Sequence, residues 1–123
     1  MKTGKLEHAN LTVSDPDRSS RLLQELLGWH ERWRGPAASH GETIHVGNED
    51  AYLALYTDHR ARERFAKGAP LNHVGLLVED LQAAERTVLA AGLEPFSHGD
   101  YAPGRRFYFF DWDGIEFEVV SYE

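Results

Sequence analysis

The sequence predicts an α+β fold built from two tandem βαβββ modules, and three observations carry that expectation. First, Leu6-Glu7-His8-Ala9-Asn10-Leu11-Thr12-Val13-Ser14-Asp15 and Leu71-Asn72-His73-Val74-Gly75-Leu76-Leu77-Val78-Glu79-Asp80 match in pattern, with their histidines 65 residues apart. Second, each stretch leads into apolar residues at helical spacing that stop at a glycine, Gly28 or Gly92, and these lie 64 apart. Third, each helix is followed by three short strand candidates divided by turn signals.

The elements follow in order. After the first apolar stretch, Asp15 suits the N-cap, Pro16 the first helical position and Gly28 the left-handed stop. Leu22, Leu23, Leu26 and Leu27 share the apolar face of that helix. Strands are expected at about Trp29–Arg34, Thr43–Gly47 and Tyr52–Thr57, with Gly47-Asn48-Glu49-Asp50 as the turn between the last two. The polar stretch Asp58–Pro70 reads as a linker with a short helix through Arg62–Phe65. In the second module Asp80 caps a helix carrying Leu81, Ala84, Val88 and Leu89, stopped by Gly92. Its strands are expected at about Leu93–His98, Arg106–Phe110 and Ile115–Tyr122, the last two joined through Asp113-Gly114. Residues 1–123 thus read as one domain of two modules, about 5–57 and 71–122, joined by linker 58–70. Two copies are too few for a solenoid, so paired half-domains sharing a core fit better.

Composition narrows the function. A hydrophobic fraction of 41% and a charged fraction of 27% belong to a globular chain. No run approaches the roughly 18 apolar residues of a membrane span, and the first residues lack the apolar core of a signal peptide. No cysteine is present, so disulfides and thiolate metal sites are excluded and any metal must be held by nitrogen and oxygen. A net charge of −7 disfavours nucleic acid. The expectation is a cytoplasmic protein acting on a small molecule, with neither nucleic acid nor membrane as partner.

Placing a histidine at the same point of both halves suggests a metal site. The offset of 64 relates Glu118 to Ala54. Alternation through Ile115-Glu116-Phe117-Glu118-Val119-Val120 sets Glu116 and Glu118 on one face and Phe117 and Val119 on the other. His8, His73 and Glu118 together form a two-histidine, one-carboxylate set that leaves positions open for substrate, water or oxygen. Ala54 cannot ligate. Each residue also has a plainer reading: Glu118 alone is a solvated strand residue, and His30, His40 and His45 are hydrogen-bonded structural or surface groups.

The arrangement resembles the vicinal oxygen chelate superfamily, which includes glyoxalase I, extradiol dioxygenases, fosfomycin-resistance enzymes and bleomycin-binding proteins. The resemblance covers essentially the whole chain. It rests on Leu6-Glu7-His8 with Leu26-Leu27-Gly28-Trp29, on Leu71-Asn72-His73-Val74-Gly75 with Val78-Glu79-Asp80, and on Tyr108-Phe109-Phe110-Asp111-Trp112-Asp113-Gly114 leading to Glu118. It implies that the βαβββ modules form a half-open, barrel-like cup with the metal inside, and it matches His8, His73 and Glu118 to the ligand positions one by one.

Glyoxalase I usually carries a fourth ligand from the first module, where this chain has Ala54. Fosfomycin-resistance enzymes share the three ligands and a tyrosine at Tyr108, but the full set of phosphonate-binding residues has no match here. The end of the chain looks most like the extradiol, catechol-type dioxygenases, in which Fe(II) is the metal. By that resemblance Tyr108 orients a ring oxygen, His98 lies in the pocket if one loop residue is inserted, and His59 is the acid–base candidate ahead of His73. The well-studied ring-cleaving enzymes usually carry four modules, and this chain carries two.

Plainer readings stand beside these: Tyr108 and Phe110 alternate with Phe107 and Phe109, so either pair is core; His59 is a surface residue of a charged linker; Arg105 and Arg106 are solvated unless one meets an anionic substrate group. A dioxygenase-type enzyme acting on vicinal oxygens is the favoured function. The alternatives are a glyoxalase-like lyase or isomerase, and a bleomycin-resistance-type binder without catalysis. Mn(II), Zn(II), Co(II) and Ni(II) also suit the ligand set. The resemblance implies a homodimer with modules paired across the interface, which the apolar surface of Trp29, Trp33 and Trp112 would serve.

Overall fold

The structure is a computed structural model that describes residues 3–38, 40–60, 62–68 and 70–123. It divides into two compact units, Met1–Ala61 and Arg62–Glu123. The first contains β1 (His8–Thr12), α1 (Pro16–Leu27), β2 (His30–Pro36), β3 (Glu42–Gly47) and β4 (Tyr52–Thr57). The second contains β5 (Val74–Leu77), α2 (Leu81–Ala90), β6 (Phe96–Tyr101), β7 (Gly104–Phe110) and β8 (Glu116–Ser121). Each unit is therefore βαβββ, and the fold class is α+β with two separate four-stranded sheets ordered β1-β4-β3-β2 and β5-β8-β7-β6.

Local chemistry sets the helix ends. Asp15 accepts from the Arg18 N–H at 3.1 Å, Pro16 opens α1, and Gly28 closes it at φ +68°, where only glycine is unstrained. Asp80 accepts from the Ala83 N–H at 3.0 Å in the same way. Gly92 takes the left-handed stop at φ +81° after α2. There the Leu93 N–H bonds back to the Val88 carbonyl. That bond commits Leu93 to the helix stop, and Pro95 has no N–H to give a sheet, so β6 starts at Phe96 and not at Leu93. The short helix expected through Arg62–Phe65 does not form. The Phe65 N–H is instead bound at 2.8 Å by the Asp113 carbonyl, a partner from the β7–β8 turn.

In each unit the helix covers one face of its sheet. Leu22, Leu23 and Leu26 pack in the first unit with Leu11, Ile44, Val46, Leu53 and Leu55 as its core. Leu81, Ala84 and Val88 do so in the second, over Phe107, Phe109, Phe117 and Val119. Phe109 and Phe117 stack at 5.3 Å. Leu89, expected on the buried face of α2, is exposed. Phe107 and Phe109 are thus the core pair of β7, which leaves Tyr108 and Phe110 on the other face of the sheet.

Strand register confirms the repeat within each unit. Asn10 pairs with Ala54 and Gly75 with Glu118 across the parallel ladders. His45 pairs with Ala54 and Tyr108 with Glu118 across the antiparallel ones. Ala54 and Glu118 are therefore equivalent positions, as are His45 and Tyr108.

Candidate metal centre

His73 sits just before β5, and Glu118 projects from the neighbouring β8, on the face that α2 leaves free. The His73 Nε2 lies 3.1 Å from the Glu118 Oε1. Its Nδ1 is 2.7 Å from the Asn72 Oδ1. With Nδ1 donating to this amide oxygen, Nε2 is the ring nitrogen that faces Glu118. The second oxygen of Glu118 accepts from the Arg106 Nη1 at 2.7 Å.

His8 opens β1 in the first unit with the same device. Its Nδ1 is 2.6 Å from the Glu7 Oε1, and that bond holds the Glu7 carboxyl below its ordinary range. Glu7 is therefore an ionised acceptor near neutral pH, and with Nδ1 bonded to it Nε2 is the other nitrogen of the His8 ring. Fixing the ring through the nitrogen that does not ligate is how metal histidines are oriented. Beside His8, ring contacts run through Tyr52 at 4.9 Å, His45 at a further 4.4 Å and Trp33 at a further 4.9 Å. The Arg32 guanidinium lies 4.6 Å from the Tyr52 ring centre. Burial, then the charges of His8 and Arg32, pull the His45 imidazole below its ordinary range.

The donor set fits a divalent ion in kind: two imidazole nitrogens aimed by their neighbours and one carboxylate oxygen. The second unit brings two of these together, His73 and Glu118, while His8 belongs to the first. Among the described residues no group of three or more His, Asp and Glu side chains is arranged to hold a metal.

Tyr108 is half-buried on the same face as His73, with their rings 6.0 Å apart and edge to face. Burial pushes its phenol above the ordinary range, and a bond with Tyr101 and the Glu118 charge add to that. An open pocket of about 430 Å³ is lined by His73, Tyr108, Lys67, Glu116, Phe96 and Tyr101, among others. His98 is elsewhere. It bonds Glu85 of α2 at 2.7 Å and lies against the core ring of Phe107, on the helix-covered face of the sheet, opposite Tyr108. His59, in the first unit, has φ +66° and meets Glu42 at 2.7 Å.

Two features were not anticipated from sequence. Glu116 is buried and holds Lys67 Nζ with both oxygens at 2.8 Å, with the His73 Nδ1 at 3.9 Å. The only signal was alternation, which set Glu116 beside Glu118. Arg106, read as solvated, is 9% exposed and bonded to Glu118. Its position two residues before Tyr108 on the same strand face was the available clue. Arg105 and Arg106 both also line a groove beside α2 with His98 and Glu85.

A family model described as the Glyoxalase/Bleomycin resistance protein/Dioxygenase superfamily matches residues 5–119. The chain belongs to this superfamily. Comparison with curated protein sequences finds no match. Among solved structures, a glyoxylase/bleomycin resistance protein/dioxygenase domain from Frankia sp. EAN1pec is 25% identical, with a TM-score of 0.82 and 98% of each chain covered. The fosfomycin resistance protein FosX from Mesorhizobium loti is 24% identical, with a TM-score of 0.73, over 98% of this chain and 92% of that one. FosX from Listeria monocytogenes, complexed with Mn(II) and sulfate ion, is 21% identical with a TM-score of 0.73, over 98% and 93%. Both FosX likenesses show the fold alone. No helix among the described residues is long and apolar enough to cross a membrane.

Proposed function

We propose that this chain is a divalent-metal-dependent enzyme acting on a small substrate with vicinal oxygens, with His8, His73 and Glu118 as metal ligands. The observation that supports it most is the convergence of the His73 Nε2 and the Glu118 Oε1 to 3.1 Å beside an open pocket. A bound divalent cation supplies Lewis acidity and free positions for two adjacent oxygens. Tyr108, its phenol held protonated at neutral pH, donates a hydrogen bond to a substrate oxygen seated beside His73. Phe96 and Tyr101 provide apolar and ring surface for the rest of the substrate, and Lys67 with Glu116 forms a neutral pair on the pocket wall. Asn72 and Glu7 keep the two imidazoles in the ligating tautomer.

Within that class, ring-cleaving oxygenation of a catechol-type substrate with Fe(II) is the first reading, carried by Tyr108 on the same face as Glu118. The seating of His98 on the opposite face favours a second reading, a lyase or isomerase that uses the same ligands without oxygen. The test is anaerobic purification and metal analysis, followed by oxygen uptake against a panel of catechols. Uptake matched to substrate loss supports the first reading. Metal-dependent turnover without uptake supports the second. Absence of any metal-dependent stabilisation overturns both and leaves a small-molecule binder.

His8 lies in the first unit, and on the family resemblance we propose that it reaches the site from the partner protomer of a homodimer. Mixed dimers of His8→Ala and Glu118→Ala chains should then recover one metal site per pair, although neither variant binds alone. Mixed dimers that bind no metal, or a wild-type protein that stays monomeric by light scattering at micromolar concentration, rule out the shared arrangement.

A further inference from the structure

We infer that Arg106 is a positioning residue for Glu118, fixing it as a one-oxygen metal ligand; this rests on the metal reading above. A glutamate on a strand has two equivalent oxygens and freely rotating bonds, so nothing in the residue itself decides which oxygen faces His73. Here the decision is made by a short charge-assisted bond, 2.7 Å from the Arg106 Nη1 to the Glu118 Oε2, which leaves Oε1 turned toward the His73 Nε2.

The anchor is itself fixed. The Arg106 Nη2 donates to the carbonyls of Tyr101 and Gly104 at 3.1 Å each, and the guanidinium lies 4.2 Å from the centre of the Tyr101 ring. Tyr101 and Gly104 are paired at the β6–β7 hairpin end, so the guanidinium is clamped by main chain.

The internal repeat supplies an independent observation. Arg106 pairs with Val120 in the second unit, and Thr43 pairs with Tyr56 at the equivalent place in the first. The unit with a carboxylate at the ligand position therefore has the arginine. The unit with Ala54 there has a threonine.

The experiment uses the full chain with Co(II) and Mn(II) as probes. Affinity is read by competition with a chromophoric chelator, coordination by the visible absorption of the Co(II) form, and folding by circular dichroism. Arg106→Met should stay folded, bind about tenfold to a hundredfold more weakly and show an altered Co(II) spectrum as Glu118 turns or binds through both oxygens. Arg106→Lys keeps the charge but loses the fork, and should recover affinity only in part. If Arg106→Met does not fold, Arg106→Lys decides. Wild-type affinity and spectrum in whichever variant folds would overturn the inference. His73→Ala separates the two levels: if it binds Co(II) as tightly as wild type, the metal reading itself fails. If it loses Co(II) while the Arg106 variants do not, only the role of Arg106 fails.

Discussion

Replacing Asp111 with asparagine should relieve a pH-dependent penalty in the β7–β8 turn. Asp111 is 4% exposed, and its Oδ1 accepts from the N–H groups of Asp113 and Ile115 at 2.9 Å each. Burial pushes its carboxyl up to about 6, and the nearby Asp113 charge adds to this against the downward pull of the two backbone bonds. The folded chain therefore binds the proton more tightly than the unfolded chain, whose value stays near 3.8. Stability from this group is full at low pH, falls as pH rises through that window, and is lost above it. A rise of about 2 pKa units corresponds to about 3 kcal/mol.

Asparagine keeps an oxygen for both N–H groups and never ionises. The unfolding free energy of Asp111→Asn minus that of wild type should therefore grow by roughly 2 to 3 kcal/mol between about pH 4 and pH 7.5. Urea titrations at fixed protein concentration, followed by tryptophan fluorescence, measure it, with Trp112 as the adjacent reporter. A difference that stays flat within about half a kcal/mol, or that shrinks toward neutral pH, would refute the reasoning.

Two further outcomes are expected. Leu55→Ala, at a β4 position 1% exposed, should cost about 2–5 kcal/mol by the same urea titration. A cost below about 1 kcal/mol would mean that the first unit is not packed around this strand. Ala54→Glu puts a carboxylate where the first unit lacks one; chelator competition should show slower metal loss, at a stability cost of about 1–3 kcal/mol for burying a polar group at a site 2% exposed. Unchanged metal retention in a folded variant would show that the repeat does not carry ligand geometry from Glu118 to Ala54.

The helix ends were legible because their chemistry is local. Asp15, Pro16 and Gly28 act on backbone groups within one turn, so residue type alone places them. The central strands were legible for a similar reason, since alternation and a turn signal bracket Tyr52–Thr57 on both sides. Expectation failed where a distant partner took over a backbone group. The Phe65 N–H is held by Asp113, so the helix proposed through Arg62–Phe65 has no first turn to build on. The candidate site divides along the same line. Aligning the repeat singled out His73 and Glu118, and the structure brings them to 3.1 Å. His98 was aligned with a pocket residue, yet its side chain leaves on the helix side to meet Glu85.

By itself, the sequence determined the duplication, the helix caps, and the equivalence of His8 with His73 and of Glu118 with Ala54. These follow from backbone periods of two and 3.6 residues, which any chain segment carries within itself. Only tertiary structure decided that Phe107 and Phe109 are the core face of β7, and that Tyr108 looks into the pocket. It alone decided that Arg106 takes one oxygen of Glu118 and that Lys67 meets Glu116 from 49 residues away. Periodicity fixes that a strand has two faces. Which face is dry, and which charge meets which, depends on the segments that pack against it, and those are set by the whole fold.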